Sequence, residues 1–394
     1  MSAPRVVVTG IGLLTSNAHS VDGFTVALRE GKSGVKEITR FDTGWPFRQG
    51  GEVELPPEDE DPRLDRVSEL ALAAARRAVA DSGLSPSDLE LARAGLCVGT
   101  SRGPALSLQR LLRPELSDDK EALFAEVPFY SIARNIARHL GLSGPIATVT
   151  MACVSSSLAI GRAWDAIRRG RTPIMLAGGA DSLTTLSFSG FSVLRAMTKS
   201  SCRPFDRRRD GMILGEGAGI LVLENLDHAR SRGAQVYAEI SGWGSAGDAH
   251  HATSPHPQGR GLAGAIRKAM SEARVSVDEI DHANLHGTGT AANDPAECQA
   301  IRQVFGDRCE RLPVNSLKPM IGHTLGAAGV LELTGSILGM RGGFVPPTLN
   351  YAEPDPSCNL NVVSGAAREQ RTRVLLSTKS AFGGANVAIV ARQM

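Results

Sequence analysis

The sequence predicts an α/β fold in which sheets and helices form layers and two similar halves make up the chain. Short runs of β-branched and apolar residues recur along the 394 residues, and segments with helical periodicity lie between them. The runs are apolar without alternation, which is typical of strands buried on both faces of a sheet. With 42% hydrophobic and 21% charged residues, the chain can also fill a large core.

The predicted strands and helices alternate along the chain. Ten apolar runs predict strands, at 5–10, 94–100, 146–151, 174–179, 219–223, 236–243, 282–286, 312–314, 374–378 and 386–391. Apolar residues at helical spacing predict helices at 66–82, 261–273, 294–305 and 326–341. Because the two halves have comparable strand counts, we expect an internal duplication that divides the chain into residues 1–234 and 235–394.

Charge and cysteine usage exclude several classes of function. The formal net charge is +2, from 43 basic and 41 acidic residues, so no nucleic-acid surface is predicted. The six cysteines form no CxxC pair and no zinc-like cluster with histidine, which predicts reduced thiols, no metal site and a cytoplasmic protein. No apolar run approaches the roughly 18 residues of a membrane helix, so no membrane association is expected.

One cysteine lies where a predicted strand passes into a helical segment. Cys153 follows the run at 146–151, and Leu158, Trp164 and Ile167 then fall roughly on one helix face. The positive end of a helix favours thiolate over thiol, so we expect a lowered pKa for this thiol. The helix start also leaves backbone N–H groups free to bind an oxyanion. Taken alone, the residue is also compatible with a small buried hydrophobe.

Two histidines lie in turns of small residues in the second half. His286 leaves a predicted strand into the Gly-Thr-Gly-Thr turn 287–290, where glycine allows a substrate or another backbone to come close. His323 follows Lys318 in a short loop before a helix that carries Glu332. The chain has only seven lysines, and an ammonium that pairs with Glu332 explains this one better than arginine would. Each turn alone is compatible with a structural or capping role.

A fourth segment of interest is the turn between the last two predicted strands. Phe382 is followed there by Gly383 and Gly384. Such a loop can offer a backbone N–H to a developing negative charge, and it can hinge. A hairpin between two core strands has the same sequence features.

These four segments together, in this order, resemble the β-ketoacyl-[acyl-carrier-protein] synthases of the elongating Cys-His-His type. The cysteine turn is followed by His-Gly-Thr-Gly-Thr (286–290), Asn-Ser-Leu-Lys-Pro-Met-Ile-Gly-His (315–323) and Phe-Gly-Gly (382–384). The resemblance covers nearly the whole chain. It implies a thiolase-like duplicated fold with five layers, αβαβα, and an acyltransferase.

The resemblance also implies a reaction. Cys153 would accept an acyl chain, and malonyl-[acyl-carrier-protein] would lose CO2 and attack it, giving a 3-oxoacyl chain longer by two carbons. The N–H groups of Cys153 and Phe382 would hold the oxyanion, and His286 and His323 would stabilise the enolate. The pathway would be fatty-acid or type II polyketide synthesis.

The remaining implied roles concern the surroundings of the reacting groups. Lys318, paired with Glu332, would hold the charge pattern around His323. The residues expected at the substrate are Thr288, Thr290, Gly383, Gly384 and Arg102. A basic run expected to dock the carrier protein, unless it is simply solvated or structurally paired, comprises Arg207, Arg208 and Arg209.

The resemblance implies partners but no cofactor. Substrates would arrive on the phosphopantetheine of the acyl carrier protein, and no metal would be needed. The active form would be a homodimer, or a heterodimer with a ketosynthase-like chain-length factor.

Three positions depart from the family pattern and two other classes stay open. Val154 is bulkier than the usual residue after the nucleophile, Ala381 replaces a common glycine, and Arg102 stands where an apolar acyl-pocket residue is frequent. A thiolase acting on acyl-CoA is the first alternative, although thiolases usually pair one histidine with a second cysteine. A non-catalytic chain-length-controlling subunit is the second, although such subunits typically lack the cysteine.

Overall fold

The computed structural model describes residues 3–113 and 120–394. Within them the strands are β1 (Val6–Leu14), β2 (Lys36–Glu37), β3 (Gln49–Gly50), β4 (Gly95–Gly99), β5 (Ile146–Val149), β6 (Ile174–Asp181), β7 (Gly217–Asn225), β8 (Ala238–Gly247), β9 (His282–Asn284), β10 (Pro313–Asn315), β11 (Phe344–Val345), β12 (Asn361–Val362), β13 (Arg368–Glu369), β14 (Val374–Ser380) and β15 (Ala385–Arg392). Each of the ten predicted strands is therefore present, with shifted ends.

Helices alternate with these strands. They are α1 (Val21–Glu30), α2 (Arg66–Ser82), α3 (Pro86–Leu91), α4 (Ala105–Leu111), α5 (Lys120–Glu126), α6 (Ser131–Leu140), α7 (Ser155–Arg168), α8 (Thr185–Val193), α9 (Leu226–Ser231), α10 (Arg260–Ala273), α11 (Asn293–Phe305), α12 (Lys318–Ile321) and α13 (Ala328–Gly342). The predicted helix at 66–82 matches α2, because Asp65 caps its first turn and Gly83, at φ 70°, ends it.

The two halves of the chain arrange their strands in the same order. In the first half the sheet runs β5-β4-β6-β7-β1, and in the second it runs β10-β9-β14-β15-β8. Numbered along each half, both orders are 3-2-4-5-1. The strands β5, β4 and β6 are parallel, as are β10, β9 and β14, while β7 and β15 are antiparallel to their neighbours.

The two sheets meet where the first strand of each half pairs with the other. Residues Val6 to Val8 of β1 lie opposite Ile240 to Ala238 of β8, which joins the sheets into one of eleven strands with β12 at an edge. The predicted boundary at residue 234 falls in the connection between α9 and β8, and the division into two domains stays a prediction.

Helices cover the two sheets in three layers. α2 and α6 pack on the outer face of the first sheet, and α10 and α11 lie outside the second. α7 and α13 lie between the sheets, where Trp164 of α7 donates from Nε1 to the carbonyl of Ile240 at 2.7 Å. Residues 328–340 of α13 are buried on every side, as a helix enclosed by protein requires. The predicted five-layered α/β fold is confirmed.

Over residues 3–113 and 120–394, no helix combines the length and the apolar composition that a bilayer span requires.

Candidate active site

Cys153 lies in the sharp turn that joins β5 to α7, as the sequence predicts. Ala152 before it adopts the left-handed region at φ 45°, which is unfavourable for a residue with a side chain. Ser155 stabilises the turn, because its Oγ accepts the N–H of Met151 at 2.8 Å and lies 2.7 Å from the carbonyl oxygen of Ala152. The turn therefore holds the sulfur at the start of a buried helix.

The loop that carries His286 is fixed by two buried carboxylates of α11. Glu297 accepts the N–H of His286 at 2.7 Å and that of Gly287 at 2.8 Å. Asp294 accepts the N–H of Thr288 at 3.0 Å. Sequence reasoning missed both acids, because their spacing within a helix does not distinguish them from solvated charges.

His323 lies between α12 and the short 3-10 turn Leu325–Ala327. Its N–H donates to the carbonyl of Ile213 at 2.7 Å, and its carbonyl accepts the N–H of Gly215 at 3.0 Å. The loop is thereby held against the first half of the chain. The N–H of Leu325 donates to Nδ1 of the His323 ring at 3.2 Å.

The three side chains converge on one cavity. The sulfur of Cys153 and a ring nitrogen of each of His286 and His323 lie within 4.8 Å of one another, and all three residues are buried. The imidazole rings are 5.2 Å apart at 83°. The cavity has a volume of about 300 Å³, and the exposed residues Leu194 and Arg195 form part of its lining. The nucleophile is therefore enclosed but reachable.

Hydrogen bonds fix which nitrogen of each histidine carries the proton. Lys318 lies with its Nζ 3.2 Å from Nδ1 of His286, and Leu325 donates to Nδ1 of His323. Burial, reinforced by the Lys318 charge, holds the pKa of both imidazoles well below the usual range. Both rings are therefore neutral with Nδ1 as acceptor, which leaves Nε2–H as a donor on each.

Lys318 acts on both imidazoles. Together with burial, its charge lowers the pKa of His323, in keeping with the role expected around that residue, while its direct contacts are with Nδ1 and the carbonyl oxygen of His286. The predicted pairing with Glu332 is present, with Nζ 2.7 Å from Oε1. The direct contacts with His286 arise because α12 begins at Lys318 and directs this side chain toward the loop after β9.

A second ammonium, which sequence reasoning did not use, lies at the same carboxylate. Nζ of Lys379 is 3.0 Å from Oε2 of Glu332, and both side chains are buried. The sequence offers one sign of its importance: lysine is scarce in this chain, and that scarcity singles out Lys379 as much as Lys318.

The expected lowering of the Cys153 pKa is wrong. Burial raises the pKa of this thiol to about 12, while Lys318 and Arg102 oppose the shift and Asp181 adds to it. A helix start favours the thiolate, but enclosure by protein removes the water that would solvate it. Cys153 is therefore a thiol near neutral pH.

The turn between β14 and β15 presents Phe382 to the cavity. The N–H groups of Ala381, Gly383 and Gly384 donate to backbone carbonyls at 2.9, 2.7 and 3.0 Å. Within residues 3–113 and 120–394, the N–H of Phe382 has no such acceptor. Ala381 and Phe382 line the cavity, and the ring of Phe382 lies 5.8 Å from that of Phe191 on α8.

The predicted substrate residues divide into two groups. Thr288 and Thr290 line the cavity and are joined by a 2.8 Å hydrogen bond between their hydroxyls. Gly383 and Gly384 do not line it, because their backbone groups bind the neighbouring loop at Ala252 and Asp248.

Two of the departures from the family pattern have a structural account. The side chain of Val154 is fully buried in the core between the sheets, so its bulk is directed away from the cavity. Arg102 does not line the cavity. Its guanidinium lies 5.5 Å from the ring of Phe191, with Nε buried and without a hydrogen-bond partner in the described residues.

The three arginines of the basic run 207–209 differ in their exposure to solvent and in their ion pairs. Arg207 and Arg208 are exposed, and Arg208 lies 3.3 Å from Glu353. Arg209 is nearly buried and pairs with Asp355 at 2.5 Å. The alternative of a structurally paired charge therefore applies to Arg209, and carrier docking by the run stays a prediction.

The cysteine and two histidines could also ligate a metal ion. Their three candidate ligand atoms are close enough to share one ion, and thiolate with imidazole is a donor set that zinc accepts. A metal ion would need the Cys153 thiolate, whereas the thiol is protonated, and it would need a free lone pair on each imidazole, whereas Nδ1 of each ring already accepts a hydrogen bond. The expectation that no metal takes part stays a prediction.

Comparison with known proteins identifies the family. Residues 3–229 match the β-ketoacyl synthase N-terminal domain model and residues 237–352 match the β-ketoacyl synthase C-terminal domain model. The chain is 38% identical to the tetracenomycin polyketide synthase ketoacyl synthase alpha subunit of Streptomyces glaucescens, over 98% of this chain and 97% of that one. It is 36% identical to the 3-oxoacyl-[acyl-carrier-protein] synthase 2 of Coxiella burnetii, over 99% of each chain.

Solved structures agree with this assignment. The ishigamide ketosynthase/chain length factor matches with a TM-score of 0.93 and 39% identity, over the whole of both chains. A type II ketosynthase in complex with its acyl-carrier protein matches with a TM-score of 0.93 and 32% identity, again over both whole chains.

The chain belongs to the β-ketoacyl synthase family. It is a condensing enzyme of the acyltransferase type with a thiolase-like fold, as the sequence motifs predicted. The predicted reaction class, condensation of an acyl thioester to a 3-oxoacyl product, is confirmed.

Proposed function

We propose that Cys153 carries the acyl chain during this condensation, and that His286 and His323 stabilise the enolate formed from malonyl-[acyl-carrier-protein]. The supporting observation is the single cavity in which the sulfur and the two imidazoles lie within 4.8 Å. Both rings have Nδ1 occupied as an acceptor, so two neutral Nε2–H donors face the reacting atoms.

The first half-reaction moves the acyl group to the enzyme. The thiol of Cys153 attacks the acyl thioester, and its proton leaves with the phosphopantetheine thiol of the carrier. The tetrahedral oxyanion is bound by the backbone N–H of Phe382 and by that of Cys153. The proposal is supported by the N–H of Phe382, which has no other acceptor in the described ranges.

The second half-reaction forms the carbon–carbon bond. Malonyl thioester binds with its carbonyl oxygen at Nε2 of His286 and His323, and loss of CO2 places negative charge on that oxygen. The enolate carbon attacks the acyl carbonyl, and the sulfur of Cys153 departs and regains a proton from solvent. Lys318, held by Glu332, is a positioning residue that fixes the tautomer of His286.

The site needs no cofactor of its own in this proposal, since phosphopantetheine arrives covalently attached to the carrier protein. We propose that the carrier docks at the mouth of the cavity, which the exposed Arg195 lines, and that the exposed Arg207 and Arg208, close in sequence to the cavity-lining Asp210, contribute to this docking. The location is proposed to be cytoplasmic, because all six cysteines are free thiols.

We propose that the active form is a dimer through the edge strand β5, either of two copies or of this chain with a related chain. Among the residues that the structure describes, no strand pairs with the outer edge of β5, and Ile146 and Met151 beside it are 47% and 46% exposed. Because β5 leads directly into the turn of Cys153, a partner there would lie close to the acyl chain.

The two alternatives are less compatible with this site. A thiolase typically needs a second cysteine opposite the nucleophile, whereas the partners of Cys153 in the cavity are His286 and His323. A non-catalytic subunit would not require a cysteine in the cavity next to the Nε2–H donors of His286 and His323.

The experiment offers acyl- and malonyl-carrier protein to the purified chain, alone and co-expressed with its genomic neighbours. We expect a 3-oxoacyl product two carbons longer, with CO2 released in equal amount. Condensation of two acyl-CoA molecules without a carboxylated donor would instead support a thiolase. The absence of both acylation and CO2 release under every condition would contradict the proposal.

A further inference from the structure

Lys379 lies in the site without a role in the steps described above. Its side chain is buried in β14, three residues before Phe382. Two of the seven lysines in the chain, Lys379 and Lys318, thus meet at one carboxylate in the interior. A charged lysine is expensive to bury, so two of them beside one acid require an explanation beyond packing.

The contacts of Lys379 hold it in one position. Its Nζ donates to Oδ1 of Asn284 at 2.9 Å and to the carbonyl of Thr378 at 2.7 Å, and it lies 3.0 Å from Oε2 of Glu332. The other oxygen of Glu332 binds Lys318. Each carboxylate oxygen therefore faces its own ammonium.

The charge count follows from this arrangement. With Lys318 alone, Glu332 would form a neutral pair. With Lys379 added, the three side chains carry a net charge of +1 in a region closed to water. The charge of Lys379 acts on the imidazoles in the cavity, because it contributes to the lowered pKa of both His286 and His323.

We propose that Lys379 is a positioning residue that gives the site a net positive charge and so favours the carboxylated donor and its enolate. This inference rests on the proposed function, since it assigns the charge to the decarboxylation half-reaction. The fixed charge needs no reorganisation when the enolate forms, which makes it effective in an enclosed site. Acyl transfer to Cys153, which starts from a neutral thioester and a thiol, gains less from it.

Lys379→Met tests the inference, with Lys268→Met as the matched control because Lys268 is an exposed lysine on α10 whose Nζ donates to the carbonyl of Ser245, outside the cavity. Self-acylation is measured by intact-protein mass spectrometry and decarboxylation by release of labelled CO2 from malonyl-carrier protein. We expect about tenfold to 100-fold slower decarboxylation in Lys379→Met, with self-acylation within about threefold of the wild type. The control should change neither step.

A second variant restores the charge in another way. Lys379→Met combined with Glu332→Gln leaves Lys318 as the one charged member of the trio, so the net charge returns to +1. We expect this double variant to decarboxylate faster than Lys379→Met, although it lacks one more native contact. A merely structural role would make the double variant slower. If Lys379→Met does not fold, Lys379→Gln, which keeps an N–H donor for Asn284, replaces it in both comparisons.

The pH profile gives a further readout. Burial lowers the pKa of Lys379 to about 8, with Glu332 and Glu297 opposing the shift and Lys318 adding to it. Wild-type decarboxylation should therefore fall as pH rises through about 8, and Lys379→Met should lack that fall. The imidazoles of His286 and His323 stay neutral across this range.

The outcomes separate this inference from the proposed function. If the wild type takes up acyl chains and releases CO2, but Lys379→Met does so at the same rates, the role of Lys379 is refuted and the proposed function stands. If the wild type does neither, the proposed function itself fails. Equal losses of both steps in a folded Lys379→Met variant would also overturn the inference.

Discussion

The two halves of the molecule share a strand order but use the loops after equivalent strands differently. The third strand of the first half, β5, leads into Cys153 and the central helix α7. The third strand of the second half, β10, leads into Lys318, His323 and the central helix α13. Equivalent positions therefore supply the nucleophile in one half and a donor in the other.

The remaining loops differ in the same way. After β4 the first half carries Arg102, whereas after β9 the second half carries His286. Asp181 links the halves, because its carboxylate accepts the N–H of Ser101 at 2.7 Å and that of Gly326 at 2.6 Å. In a duplicated fold of this kind, the loops of the two halves lie opposite each other, so one half can supply the nucleophile and the other the hydrogen-bond donors.

The largest loss of activity is expected when the nucleophile is removed from the first half of the chain. Cys153→Ala should reduce condensation by at least ~10³-fold, because the acyl chain then has no attachment point, while some decarboxylation persists. The 3-oxoacyl product and the acyl adduct are followed by mass spectrometry. Cys97→Ala, at another buried cysteine outside the cavity, is the control. Wild-type condensation by Cys153→Ala would refute its assigned role.

The next largest loss is expected when one hydrogen-bond donor at a time is removed from the second half of the chain. His286→Ala and His323→Ala should each slow CO2 release by about 100-fold or more, because one hydrogen bond to the enolate oxygen is lost. Each variant should still take up an acyl chain. A variant that stays folded but cannot be acylated would show that the halves do not divide the two steps as proposed.

A third test concerns the thiol itself. Since the pKa of Cys153 is raised to about 12, thiolate is the minor form up to pH 9, and alkylation by iodoacetamide should rise about tenfold per pH unit from 7 to 9. Labelling is quantified by peptide mass spectrometry, with Cys153→Ser as the blank. A rate that is already constant at pH 7 would mean that the helix start outweighs burial.

The smallest effect is expected at the surface. Replacing both Arg207 and Arg208 with Glu should raise the KM for acyl-carrier protein by about twofold to tenfold, and more at low salt. Arg209→Ala should instead lower the free energy of unfolding, by about 1–3 kcal/mol, because it breaks a nearly buried pair with Asp355. An unchanged KM in the double variant would place the carrier elsewhere on the surface.

The sequence predicted the main strands and several helices because their signals are local. Uninterrupted apolar runs predict the strands of both halves, and apolar residues at helical spacing predict both ends of α2, which Asp65 and Gly83 cap in the structure. The helix α8, which carries Phe191 into the cavity, was missed because its Thr, Leu, Ser and Phe residues lack a helical apolar stripe. Its position depends on packing across the long connection between β6 and β7.

The reacting groups were predictable from motifs, but their environment was not. Cys153, His286 and His323 were found from small-residue turns and lie together as expected. Neither the rise in the Cys153 pKa nor the contact of Lys318 with His286 could be read from spacing. Both depend on which groups the folded chain encloses, and Lys379 was overlooked for the same reason.

A crystal structure of the acylated enzyme, with a malonyl thioester analogue in which an amide replaces the thioester, would locate both substrates in one site. We expect an acyl group on Cys153 and an analogue carbonyl oxygen about 3 Å from Nε2 of both His286 and His323. An acyl group on another cysteine, or an analogue bound away from the two imidazoles, would contradict the proposed roles of these three residues.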